Sequence, residues 1–206
     1  MADVVVETKG EVTWIRLNRP ERMNSYDAEM ARELIAAVRG AADSGVIVIT
    51  GTGRAFCAGG YLANLQDPDA NALRSMFYGS LDVYEAIRTS PRPVIAAVNG
   101  AAAGGGNELV VACDLAIAVE SATFGQTGVR IGSAPVLGGT NFLSLTIGEK
   151  RAKEVAFMCR RYKARDALGM GWINAVVDND QLEAEVTRWA DELLVMSPRY
   201  LEIAKI

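Results

Sequence analysis

Two glycine-bearing loops and one glutamate carry the chemistry this sequence can offer. The first loop is Gly53-Arg54-Ala55-Phe56-Cys57-Ala58-Gly59-Gly60-Tyr61, directly after the apolar run Val46-Ile47-Val48-Ile49-Thr50-Gly51. The second is Asn99-Gly100-Ala101-Ala102-Ala103-Gly104-Gly105-Gly106-Asn107-Glu108, directly after Pro93-Val94-Ile95-Ala96-Ala97-Val98. Both put small residues where a strand gives way to a helix, so a ligand can approach bare N–H groups. Glu108 falls three residues after Gly105 at a helix start, where the helix dipole favours its negative charge. The same features also serve purely structural ends: glycines for turns of positive φ, and an N-terminal glutamate for helix stability.

Histidine is absent from all 206 residues, which removes Ser-His-Asp and Cys-His mechanisms within one chain. No CxxC pair is present to seed a zinc site. Acid–base work must fall to carboxylates, tyrosine, lysine or bound water. Neither a GxxxxGK[ST] loop nor a GxGxxG fingerprint occurs, so those two nucleotide-phosphate cradles are disfavoured. Cys57, Cys113 and Cys159 are odd in number and far apart, as buried small hydrophobes in a reducing cytoplasm would be. A net charge of -4 gives no field to recruit nucleic acid, although local positive charge can still hold a small anion. No window approaches the roughly 20 apolar residues of a membrane span, and the first residues lack the basic and apolar regions of a signal peptide.

The elements that must position these residues alternate along the chain. Val4-Val5-Val6 and Val12 to Leu17, separated by Lys9-Gly10, read as a β-hairpin. Ser25 reads as the N-cap of a helix running to about Arg39, with Asp27 and Glu29 in its first turn. The apolar runs at 46–51, 93–98 and 115–119 suit strands covered on both faces. Helices are expected at 70–89, 107–112, 142–147, 149–158, 164–170 and 182–195. The pattern predicts an α/β fold with right-handed crossovers, in a length suited to one domain over residues 1–206.

The motifs occur in a telling order. Asn18-Arg19-Pro20 with Arg22-Met23-Asn24, then Ala55-Phe56-Cys57-Ala58-Gly59-Gly60, then Pro93 to Gly100, resemble the successive signatures of the crotonase (enoyl-CoA hydratase/isomerase) superfamily. So do Gly104-Gly105-Gly106-Asn107-Glu108-Leu109, Ala112-Cys113-Asp114-Leu115, Phe124-Gly125-Gln126 and Gly138-Gly139-Thr140. The ordered set spans about residue 3 to residue 205.

That resemblance implies a spiral of repeated ββα units, assembled as a homo-trimer or hexamer. It implies an acyl-CoA thioester substrate that brings coenzyme A with it, with no metal, redox cofactor, nucleic acid or membrane partner. The backbone N–H groups of Gly60 and Gly105 match the family's oxyanion hole, and Ala58 and Gly59 belong to the same thioester-binding loop. Arg22 matches a basic position against the coenzyme A phosphates. Glu108 matches one of two glutamates that move protons in hydratases. Relatives continue beyond Ile206 into further C-terminal helices.

The sequence also departs from the pattern. Gly128 stands where the second hydratase glutamate belongs, and Tyr61 replaces the aspartate ending the Ala-Gly-Gly loop. Gln126 to Ser133, Glu149 to Glu154 and Met158 to Tyr162 resemble the 1,4-dihydroxy-2-naphthoyl-CoA synthase and 2-ketocyclohexanecarboxyl-CoA hydrolase branch. In Gln-Thr-Gly synthases of that branch a bound bicarbonate can replace the missing carboxylate. Yet Pro135 stands where that branch has aspartate, and Gly138 where it has the tryptophan lining the bicarbonate site. The preferred expectation is hydration or double-bond isomerisation of an enoyl-CoA. The alternatives are carbon–carbon bond chemistry on a cyclic ketoacyl-CoA, or a binding protein of this fold with impaired catalysis.

Overall fold

The computed structural model describes residues 2–61, 70–135 and 141–205. Strands β1 (Val4–Lys9) and β2 (Val12–Leu17) pair antiparallel, turning at Gly10 with φ of 62°. Strands β3 (Val46–Gly51), β5 (Val94–Val98), β7 (Leu115–Val119) and β10 (Ala175–Val177) extend them in parallel, in the order β1-β2-β3-β5-β7-β10. Every residue of β3 and β5 is buried, the physical reason these segments are continuous apolar runs rather than alternating ones.

A second sheet is built from short strands: β4 (Ala55–Cys57), β6 (Ala101–Ala103), β8 (Thr123–Gly125) and β9 (Tyr162–Lys163). The chain therefore leaves a strand of the large sheet, adds a strand to the small one, and enters a helix. The repeat runs β3-β4-α2 (Ala70–Arg88), then β5-β6-α3 (Gly105–Ala112). This is the spiral of ββα units that the motif order implied. The two glycine loops are consequently not loops throughout, because each carries one strand of the small sheet. Three-residue strands such as Ala55-Phe56-Cys57 and Ala101-Ala102-Ala103 are too short and too uniformly apolar to alternate, so periodicity could not reveal them.

Helix α1 (Ala28–Gly40) packs against β1, β2 and α2, while α7 (Leu182–Leu194) lies against β3, β5 and β7. The expected cap at Ser25 is corrected: Asp27 is the N-cap, accepting from the N–H of Glu29 and of Met30. Ser25 instead turns its hydroxyl back to the Arg22 carbonyl, 3.0 Å away. Helices α4 (Phe142–Ile147), α5 (Glu149–Met158) and α6 (Ala164–Met170) follow, and α8 (Pro198–Lys205) ends the described chain. Lys205 Nζ donates to the carbonyls of Ile87 and Arg92, each at 2.9 Å, and pairs with Asp114 at 2.8 Å. Asp114 also accepts from the Val94 N–H, so one carboxylate ties α8 to the start of β5. No helix among the described residues is long and apolar enough to cross a membrane. The Gly138-Gly139-Thr140 motif lies outside the described residues.

Candidate active site

The segment after β2 fixes the entrance of the site. Asn24 is fully buried in a left-handed conformation that asparagine tolerates, with φ of 56°. Its carbonyl accepts from the Arg19 N–H, and its amide lies within hydrogen-bond reach of the Thr52, Ala55 and Phe56 carbonyls. One side chain thereby stitches the end of β2 to the start of β4. The buried Arg19 guanidinium pairs with Asp3 and, at 2.6 Å, with Asp27. Burial works to raise the Asp27 carboxyl, but Arg19 and the N–H groups of Met30 and Glu29 hold it below the usual range. Asp3 is held low by the same guanidinium.

The peptide between these anchors, at Tyr26, forms a parallel bridge to Gly60. Tyr26 N–H donates to the Gly59 carbonyl and Tyr61 N–H donates to the Tyr26 carbonyl, both at 2.9 Å. In such a bridge Gly60 itself directs its N–H away from Tyr26. Gly59 has φ of 94°, and a Cβ on it would lie 2.8 Å from the Ala103 oxygen and 2.9 Å from the Gly105 nitrogen. Only glycine lets these two loops meet so closely. Gly106 is pressed on β4 in the same way, since its Cβ would fall 2.0 Å from the Cys57 oxygen. The N-terminus of α3, whose first N–H groups have no intrahelical acceptor, is thus held against the first glycine loop.

Gly60, Gly105 and Glu108 line one cavity of about 70 Å³, together with Tyr26, Ser80, Gln126, Gly128 and Pro135. The structure therefore brings together all three expected catalytic positions. Ala58 and Gly59 sit behind them as framework: the Ala58 N–H donates to the Met23 carbonyl at 3.0 Å. Arg22 is exposed in the 3-10 turn Pro20–Arg22 and does not line the cavity. Its guanidinium stacks 4.4 Å from the ring centroid of Tyr61, the residue that closes the first glycine loop. That contact places a cation beside the loop and gives a role to the tyrosine that departs from the family aspartate.

Glu108 is 4% exposed and close enough for its charge to act on two phenols, Tyr26 and Tyr84. It is the one carboxylate among the described residues of the cavity wall. Gln126 is also buried, and its Nε2 has no hydrogen-bond partner among the described residues. Gly128 lies beside Ser133, and a Cβ there would make ordinary contacts of 3.4–3.5 Å. Burial pushes the Cys57 thiol up to about 12, leaving a neutral sulfur that accepts from the Gly59 N–H. Cys57 is thus no nucleophile at neutral pH. Among the described residues no cluster of three metal-ligating side chains occurs.

Sequence reasoning missed Tyr26, Phe77 and Ser80 in the wall. Phe77 and Ser80 belong to α2, which no loop motif marks. Tyr26 precedes a helix and carries no motif of its own; its bridge to Gly60 is what brings it to the site.

Residues 7–206 match the family model described as enoyl-CoA hydratase/isomerase. The fold superposes with a TM-score of 0.93 on an enoyl-CoA hydratase subunit I from Geobacillus kaustophilus, at 36% identity over 99% of this chain and 80% of that one. An enoyl-CoA hydratase from Bacillus anthracis gives a TM-score of 0.95 and 33% identity, covering 99% of this chain and 81% of that one. DspI from Pseudomonas aeruginosa gives 0.95 and 30%, covering 100% and 85%. With nearly the whole chain matched in sequence and fold, and the two glycine loops meeting at one cavity, this protein belongs to the enoyl-CoA hydratase/isomerase family.

Proposed function

We propose that this chain isomerises or hydrates the double bond of an enoyl-CoA, with proton transfer by Glu108 as its central step. The observation that carries this reading is the shared cavity: Gly60 and Gly105, whose N–H groups would serve as donors, and the Glu108 carboxylate line one space. With the thioester carbonyl set between the two N–H groups, Glu108 takes a proton from the carbon next to the carbonyl. The electron pair moves onto the carbonyl oxygen, where the N–H groups stabilise the enolate. One such donor is typically worth ~3–4 kcal/mol to the transition state. Return of the same proton to the γ-carbon moves the double bond, and no second carboxylate is needed.

Isomerisation is the favoured half of this reading, because Gly128 leaves Glu108 as the one carboxylate in the described wall. Water addition needs a second group to hold the attacking water. The Gln126 Nε2, which has no partner among the described residues and lines the cavity with Gly128, is the group suited to that water or to a small anion. In this reading Arg22, stacked on Tyr61 beside the first glycine loop, would meet a coenzyme A phosphate. We also propose a homo-trimer or hexamer, which would cover the exposed apolar Leu145, Phe157 and Met158 of α4 and α5.

The test is direct. A 3-enoyl-CoA incubated with the protein should gain the absorbance of a conjugated thioester, and crotonyl-CoA should lose it more slowly. Mass spectrometry of cyclic ketoacyl-CoA incubations runs beside these assays. Ring-opened product with no isomerase or hydratase turnover would replace this reading by carbon–carbon bond chemistry.

A further inference from the structure

Tyr26 touches both Gly60 and Gly105, the two glycines that the proposed reaction uses as backbone donors in the cavity wall. Its main chain is bridged to Gly60, through bonds to the Gly59 carbonyl and from the Tyr61 N–H. Its side chain lies against Gly105: a Cβ there would be 2.4 Å from the phenol oxygen and 3.1 Å from the carbon that bears it. The gap between the two glycine loops is therefore spanned by the covalent frame of one residue. We propose that Tyr26 is a positioning residue, which sets the separation of the Gly60 and Gly105 N–H donors around the thioester oxygen. The proposal rests on the reading of those two N–H groups as the oxyanion hole.

The residue is anchored at both ends. Its main chain lies between Asn24, buried and bonded to the Thr52, Ala55 and Phe56 carbonyls, and Asp27, which caps α1 and pairs with Arg19. Its phenol hydrogen-bonds Ser80 of α2 and is 4% exposed. Burial drives the phenol's ionisation upward, the nearby Cys57 and Glu108 add to this, and the Ser80 bond only partly offsets it. A neutral hydroxyl results, which does not compete as an anion with an enolate for the neighbouring N–H groups. Spacing matters here because a 1 Å misplacement of a positioned group can cost ~10²-fold in rate. Gly105 must be glycine for the same reason, since any side chain would strike the phenol.

A 4-dimethylaminocinnamoyl-CoA thioester reads the donors directly, because its absorption moves to longer wavelength as its carbonyl is polarised. The wild-type protein should produce this red shift. Tyr26→Phe should shrink it and lower kcat on a 3-enoyl-CoA at least tenfold, with KM changed less than twofold. Ser80→Ala should give the same pattern, and the double variant should be no worse than either single one, because both break one anchor. Melting temperatures recorded alongside guard against a general loss of fold, and Ser80→Ala carries the test if Tyr26→Phe does not fold. A red shift in wild type that survives in Tyr26→Phe and Ser80→Ala would overturn the positioning role. Equal losses of kcat, KM and melting temperature would also overturn it, by making Tyr26 a packing residue. No red shift in wild type, despite bound thioester, would instead remove the oxyanion reading beneath it.

Discussion

Gly106 and Cys57 meet backbone to backbone: a Cβ on Gly106 would lie 2.0 Å from the Cys57 carbonyl oxygen and 2.6 Å from its carbon. This contact seats the start of α3 on β4 and so holds the two glycine loops at one cavity. The neighbour is backbone, so it cannot swing aside. Gly106→Ala should cost at least ~1–3 kcal/mol by overpacking. At roughly 2–4 °C per kcal/mol for a chain of this size, thermal melting should fall by several degrees, with enzymatic turnover falling further. An unchanged melting temperature would mean that the helix can move off the strand at little cost.

Glu108 is tested by a change of one atom. Glu108→Gln keeps the size of the side chain but cannot accept a proton, so kcat should fall by ~10²–10⁴. Acyl-CoA binding should survive, read as a rise in melting temperature of the ligand-saturated variant. Near-native turnover in Glu108→Gln would assign proton transfer to another group.

Gly128→Glu adds a second carboxylate to the described cavity wall, beside Glu108. Its backbone lies outside the left-handed region, and an added Cβ makes only ordinary contacts with Ser133, so the fold should accept the substitution. Hydration of crotonyl-CoA should rise relative to isomerisation. The two carboxylates should then titrate in two separated steps, because like charges in one site oppose each other's ionisation. A folded variant with no gain in hydratase rate would show that Gly128 is not what limits water addition.

Arg19 gives a prediction in pH. Asp3 and Asp27 are both held below their ordinary values by the Arg19 pairing, so each stabilises the fold in its ionised form. The contribution is fully present above the unfolded-chain value of about 3.9 and is lost as pH falls through the lower folded values. Arg19→Gln should therefore destabilise by ~1–3 kcal/mol at neutral pH, with the difference from wild type closing as the two lowered carboxyls protonate in acid. Urea melts at pH 7 and at acidic pH would settle this. A pH-independent difference would mean that Arg19 acts through packing alone.

The sequence by itself determined the large sheet apart from its edge strand β10, which carries no signal of its own. Val46 to Ile49 and Val94 to Val98 are apolar at every position, a pattern that burial on both faces explains, and both lie in fully buried strands. It also drew attention to the two glycine loops and to Glu108 at a helix start, while the choice of Gly60 and Gly105 within those loops came from the family resemblance. What it did not carry is the small sheet, whose strands of two or three residues are stabilised by neighbours from distant segments rather than by their own propensity. Nor did it mark Asp27 over Ser25 as the cap, since both residue types cap helices well and the choice fell to Arg19, eight positions upstream. Tyr26 shows the limit most clearly. Its place in the site follows from a bridge to Gly60 and a contact with Gly105, residues 34 and 79 positions away, and only tertiary packing brings such partners within reach.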